Sequence, residues 1–400
     1  MNLYKVKNYL IILGVVIKRE FYRITTRKSL STLYFILPVV LFVFFSLVYS
    51  NELVRGIPIA ILDEDHSELS LLLTRYAGST SSMKIVKYVN SLDELKSEFR
   101  KGNIRGAFYF PRKMEKDVKA GKQADVTLFI NSSNIIVSNY LLSDGSKIIK
   151  MVSGGVLLKK LRSSGLMEDQ AMNIISPIKI ETMVLYNPNY SYANYLAPGL
   201  TTFAYLMIIM VASVLILSSE FTHNTFNELL KLSENKISII ILGKSLPHIA
   251  IHITNLIILV GIIFHIFNIK IHSSWVTILL FLIFFSIVVF ALGFMISSLF
   301  RDQMFATELA LFVVTPAFIF SGLTYPLWAM PWLFRFVADL IPYTHFLSGF
   351  TKLAQMGVPF RYVIPETIYL MIFLLISIIT TIIALRYQIK KSLLIDEGIK

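Results

Sequence analysis

The chain has 400 residues, 55% of them hydrophobic, with a mean hydropathy of +0.66 and no cysteine. Those values exclude an ordinary soluble protein of this length, and without cysteine no disulfide or thiolate–metal site can hold a domain together. The formal charge of +13 does not imply a nucleic-acid partner, because the basic residues gather beside apolar stretches rather than on one face.

In chain order, residues 8–28 come first. The apolar block Leu10–Ile17 is too short to span, and Arg19, Arg23 and Arg27 follow at four-residue spacing. That pattern predicts a basic amphipathic helix at a membrane interface, within a cytoplasmic segment 1–30. A spanning helix needs roughly 20 apolar residues, since lipid offers the backbone no hydrogen-bond partner. Six stretches qualify, near 31–50, 196–218, 245–267, 275–299, 304–322 and 364–386. Pro38 inside the first, with no small-residue cleavage site after it, reads as a retained signal-anchor. Lys18, Arg19, Arg23, Arg27 and Lys28 precede the first stretch, and Lys231 and Lys236 follow the second. Arg301 follows the fourth, and Arg386, Lys390 and Lys391 follow the last. By the positive-inside rule these sites are cytoplasmic, as are both termini and a tail at 387–400.

Residues 51–195 then fall outside the cytoplasm. Strands are expected at Ile57–Leu62, Lys84–Val89, Gly106–Phe110, Val126–Ile130 and Lys179–Tyr186, and helices at Ser67–Tyr76, Leu92–Lys101, Arg112–Ala120, about Asn134–Leu161 and Met167–Ile175. The alternation predicts a mixed α/β domain. The whole is therefore an α-helical integral membrane protein with six transmembrane helices plus a mixed α/β extracytoplasmic domain. Residues 196–386 form a five-helix membrane domain. The Asp63–Ser67 cluster lacks the glycine turn and distal Glu of a calcium loop, and Ser67 reads as a helix N-cap.

Chemistry-bearing groups are sparse. There is no Gly-x4-Gly-Lys-Ser/Thr phosphate loop; Gly243-Lys244-Ser245 matches only its last three positions, with Ser238 where the first glycine belongs. Glu220 and Glu308 sit at span boundaries. His248 and His252, four apart on the third span, read as interhelical hydrogen-bonding groups rather than a metal pair. No metal, cofactor or catalytic set is expected, and the chain reads as a non-enzyme.

Two loops are more informative. From Ser218 to Leu232, Thr225 followed by Glu228 matches a capping box, and Phe226, Leu229 and Leu230 share one side of a short helix near 220–233. Such a helix suits a groove on a soluble partner, or rests on lipid. From Phe320 to Thr344 an apolar stretch is broken by Gly322, Pro326, Pro331 and Pro342. This predicts a re-entrant hairpin near 323–345, able to gate an outward path or to cap the bundle.

The chain resembles the ABC-2 type permease family of ABC transporters, in the subgroup with a large exterior domain after the first span. The likeness rests on Ser321-Gly322-Leu-Thr-Tyr-Pro326 with Met330-Pro331-Trp332 and Ile341-Pro342-Tyr343-Thr344. It rests also on Tyr186-Asn187-Pro188 before Pro198-Gly199, on Asp63, Asp65, Ser67 and Ser70, and on Gly102 to Pro111. The resemblance implies two permease subunits, in a homodimer or related heterodimer, each served by a separate ABC ATPase, with Glu220 to Leu232 as the coupling helix. Glu220, Thr225, Glu228, Leu229, Leu230, Gly243 and Lys244 match the family pattern. Asn224 replaces its usual glycine, its basic residues are missing, and Ser233-Glu234 stands where it has a proline.

The leading reading is thus an exporter permease moving a hydrophobic or amphipathic substrate. Membrane lipid surrounds it in a bacterial inner membrane, and a periplasmic adaptor protein is a further partner. The competing reading is a non-transporting receptor or scaffold whose exterior domain binds a partner. A secondary carrier ranks third, because no mid-membrane ion site is evident.

Overall fold

A computed structural model describes residues 3–50, 53–188 and 190–396. It divides into two units: Met1–Glu52 with Leu185–Lys400, and Leu53–Val184.

The larger unit begins with helix α1 (Leu3–Thr26), then the first of six helices that, among the described residues, are long and apolar enough to cross a membrane, Lys28–Val48.

The smaller unit holds strands β1 (Ile57–Asp63), β2 (Met83–Val89), β3 (Gly106–Phe110) and β4 (Thr127–Ile130), ordered β2-β1-β3-β4. β1 runs parallel to β2 and β3, and β4 is antiparallel to β3. Helices α2 (Glu68–Ser79) and α3 (Leu92–Lys101) carry the parallel crossovers, and α4 (Met114–Lys119), α5 (Ile135–Ser163) and α6 (Glu168–Ile175) follow. β1 is apolar on both faces because both are covered. Ile57, Ile59 and Ile61 pack with Leu73, Phe108 and Leu141, while Ala60 and Leu62 pack with Leu95 and Ile104. The Asp63 cluster is a helix start: Ser67 and Ser70 form a reciprocal capping box, and Asp63 Oδ1 accepts from the amides of Asp65 and His66 at 2.9 Å. The strand expected at Lys179–Tyr186 is absent. Ile178, Ile180 and Met183 are exposed there, and the sheet pairs neither of its edges with this segment, so alternation finds no partner.

The larger unit resumes with the second span, Ala193–Thr222, then α7 (Phe226–Leu232) and the third, fourth and fifth spans, Ile237–Ile266, Trp275–Leu299 and Gln303–Phe320. Helices α8 (Trp332–Asp339) and α9 (Pro342–Ala354) precede the sixth span, Phe360–Ser392. The second span is the most enclosed and forms the hub of the bundle. Gly293 lets the fourth span approach it: a Cβ there would lie 1.8 Å from Ser213 Oγ and 3.0 Å from the Met210 carbonyl. One turn on, Ser297 Oγ accepts from the amides of Leu217 and Ser218 at 2.7 and 2.9 Å.

Candidate functional site

Contacts sort the loops to two ends of the bundle. At the basal end Thr222 Oγ1 donates to the Arg301 carbonyl (3.3 Å), Arg301 Nε to Gln388 Oε1 (2.8 Å), and Ser392 Oγ to Asn227 Oδ1 (2.7 Å). The close of the second span, the turn after the fourth, the last helix and α7 therefore meet. At the opposite end Tyr195 donates to the Leu323 carbonyl (2.9 Å), Gln355 Nε2 to the Asn194 carbonyl (2.9 Å), and the His272 amide to the Ala354 carbonyl (2.9 Å).

The basal end is built on buried charge. Glu220, closing the second span, accepts from Arg19 (2.7 Å) and Arg23 (2.9 Å) of α1 and pairs with Lys244 of the third span. Lys244 also holds Glu20 at 2.5 Å, and Glu20 meets Arg23 (2.9 Å) and His248 Nε2 (2.9 Å). Burial alone would raise the Glu20 carboxyl, but Lys244, Arg23 and His248 hold it well below the ordinary carboxylate range. Gly243 makes room for this: a Cβ on it would lie 2.6 Å from Val16 Cγ1 of α1. His248 Nδ1 bonds Tyr34, and His252 Nδ1 lies 3.0 Å from Tyr205, so both histidines tie helices together.

Helix α7 continues the network. Thr225 is its N-cap residue but makes no capping bond; its hydroxyl turns back to Glu220. The predicted Thr225–Glu228 capping box is thus corrected: the Thr225 backbone lies at φ −95°, ψ 0° rather than in the extended conformation of a cap, and its amide donates to the Glu220 carbonyl (2.9 Å) instead of to Glu228. Glu228 is exposed, 3.9 Å from Arg19. Phe226, Leu229 and Leu230 are buried within this chain, which corrects their reading as a face offered to a partner. The outward residues of α7 are Glu228, Lys231 and Leu232, so the exposed face is mostly polar. Asn224 has φ +57°, a left-handed backbone that glycine adopts freely and Asn tolerates. Glu234 (φ +53°) and Asn235 (φ +60°) turn the chain where a proline was expected, and proline cannot take a positive φ.

At the opposite end the expected hairpin residues lie together. Ser321 Oγ donates to the Phe318 carbonyl (2.7 Å) and accepts from the Leu323 amide (3.2 Å), Gly322 turns at φ +88°, and Pro326, Pro331 and Pro342 each start a short helix. The opening of the second span packs here. Tyr343 donates to the Gly199 carbonyl (2.6 Å), a Cβ on Gly199 would lie 3.0 Å from Leu323, and Thr202 Oγ1 bonds the Pro198 carbonyl (2.9 Å). Around Tyr195, Gly199, Leu323, Trp328 and Phe350 lies a cavity of about 380 Å³. Lys352 also lines it, paired at 2.5 Å with Glu366.

Sequence reasoning missed Glu20 and the buried pairing of Lys244. Lys244 was met as part of a false phosphate loop and as a match to the family pattern, and the signal for its pairing was a lysine inside an apolar span one turn before His248.

Residues 28–383 match the family described as ABC-2 family transporter protein. The chain belongs to that family. This permease is 22% identical over 302 residues to the probable multidrug ABC transporter permease YbhS of Escherichia coli, covering 75% of this chain and 77% of that one. It is 24% identical over 320 residues to the probable multidrug ABC transporter permease YbhR of the same organism, covering 78% and 81%. It is 28% identical over 201 residues to ABC transporter G family member 20 of Dictyostelium discoideum, covering 49% of the permease and 27% of that longer protein. The family's permeases are transport components rather than enzymes.

Proposed function

We propose that this chain is the membrane subunit of an ATP-driven exporter, working as a dimer in a bacterial inner membrane and served by separate ABC ATPase subunits at its basal end. In this reading the basal end and both termini are cytoplasmic and the α/β unit is extracytoplasmic. The observation that carries it is the buried Arg19–Glu20–Arg23–Glu220–Lys244 network, which ties α7 to three other helices at the end where basic residues gather.

Closure of the ATPase pair would push the polar face of α7. The push passes through Thr225 and Glu220 into the second span, and through Arg19 into α1. The second-span helix, Tyr192–Thr222, has 31 residues and runs for about 46 Å. It delivers the movement to Gly199, against Leu323 and Tyr343, so the hairpin opens at the far end. The mostly apolar cavity beside it suits a hydrophobic or amphipathic cargo, in keeping with the multidrug names of the Escherichia coli relatives. Glu308 lies on an exposed face of the fifth span among Met304, Phe305 and Phe312. A second permease subunit seated on this apolar face would cover Glu308 near the span boundary, in keeping with a dimer. A periplasmic adaptor meeting the α/β unit would extend the assembly.

The test is co-purification with the cognate ATPase. Lys231→Glu reverses an exposed charge outside the buried network, and should lower ATPase recovery and stimulation by about tenfold. Undiminished recovery would remove α7 as the docking element.

A further inference from the structure

The α/β unit contains a groove that the transport reading does not use. It lies between α2, α4, the loop 120–126 and α5, and its volume is about 330 Å³. Its floor is the domain's own core, with Leu73, Met114 and Val152 buried, and Leu69, Val126 and Val156 extend it outward. Leu157 remains exposed at the rim. No acidic residue lines it.

The charged groups at the groove are Lys122 and Lys160, whose side chains make no ion pair or hydrogen bond among the described residues. Gly121, next to Lys122, sits at φ +78°, a conformation other residues rarely adopt, and a Cβ there would lie 3.3 Å from Lys160 Nζ. A largely apolar groove with two unneutralised cations in its lining is complementary to one class of molecule.

We propose that this groove binds an anionic amphiphile, with a single acyl or similar chain along Leu69, Val126, Val156 and Leu157 and its carboxylate or phosphate between Lys122 and Lys160. The inference goes beyond the transport reading and stands even if that reading fails.

The experiment uses the full chain in phosphatidylcholine nanodiscs, a photoreactive diazirine analogue of palmitic acid, and the corresponding primary alcohol, with adducts mapped by mass spectrometry. The acid should label peptides carrying Leu69–Leu73 and Val152–Lys160 about tenfold more than the alcohol. Lys122→Ala with Lys160→Ala should remove that preference, Lys122→Arg with Lys160→Arg should retain it, and Val156→Trp, which fills the slot, should abolish labelling. Unlabelled palmitate and lysophosphatidylglycerol as competitors distinguish a fatty acid from a phospholipid source, and displacement by either supports the site. Equal labelling by acid and alcohol, or adducts confined to the six spans, would overturn the proposal using the unaltered chain alone.

Discussion

Lys244 of the third span is ion-paired with Glu220 at the close of the second, and both side chains are completely withdrawn from solvent. Buried charges stay stable only while each is compensated, so removing one partner costs far more than the pair itself contributes. Lys244→Met should destabilise the chain by about 3–5 kcal/mol, read as a fall in thermal midpoint in detergent. Adding Glu20→Gln should recover part of that loss, because it removes one of the two buried carboxylates that lose their Lys244 partner. Additive losses in the double-mutant cycle would contradict the coupling.

Asn224 makes a separate prediction. At φ +57° it should accept glycine with no loss of transport. Asn224→Val should cost about 1–3 kcal/mol of local strain and weaken coupling to the ATPase. Equal transport by both variants would show that the left-handed turn is not required.

Packing of the second and fourth spans depends on Gly293. Gly293→Leu should lower the yield of folded protein sharply, since a side chain would have to displace both Ser213 and the Met210 backbone. Gly293→Ala should be intermediate. The check is the monodisperse fraction in size-exclusion chromatography, where wild-type behaviour of the leucine variant would refute the close approach.

In the α/β unit, the Asn103 amide and the Lys87 ammonium, at 2.7 and 3.0 Å, hold the Glu98 carboxyl at about 2, below its ordinary 4.5. A depressed folded value means the ionised form favours folding. This contribution is complete above about 4.5 and is lost as pH falls toward 2. Protection against hydrogen exchange at residues 92–110, taken relative to the intrinsic rate at each pH, should fall as pH drops across that window in the wild type, and Glu98→Gln should flatten the dependence. Matching profiles would contradict the assignment.

Much of the architecture was legible because apolar stretches long enough to span are hard to mistake, and because a helix cap such as Ser67 acts locally. The strand at Lys179–Tyr186 misled because alternation reports a half-buried face only where a neighbouring strand supplies the other half. The basal network was illegible for a related reason. Glu20, Glu220 and Lys244 lie up to 224 positions apart, and their pairing comes from helix packing around Gly243 rather than from any local pattern. Thr225–Glu228 failed as a capping box because the turn from Glu220 holds the Thr225 amide on the Glu220 carbonyl and its backbone out of the extended conformation that a cap needs. By contrast, turns at Gly322 and at the prolines were readable, because glycine and proline fix backbone turns locally, whereas the contacts of Leu323 and Tyr343 with Gly199 come from packing.

The orientation of α7 is the hinge of the functional account, and the absence of native cysteine makes it directly measurable. Lys231→Cys and Gln123→Cys, each the sole thiol in its chain, can be exposed to a membrane-impermeant maleimide in spheroplasts and in inverted vesicles. The account predicts that Gln123→Cys reacts in spheroplasts and Lys231→Cys only in inverted vesicles. Labelling of Lys231→Cys in sealed spheroplasts would put α7 beyond the reach of a cytosolic ATPase and contradict the proposed mechanism.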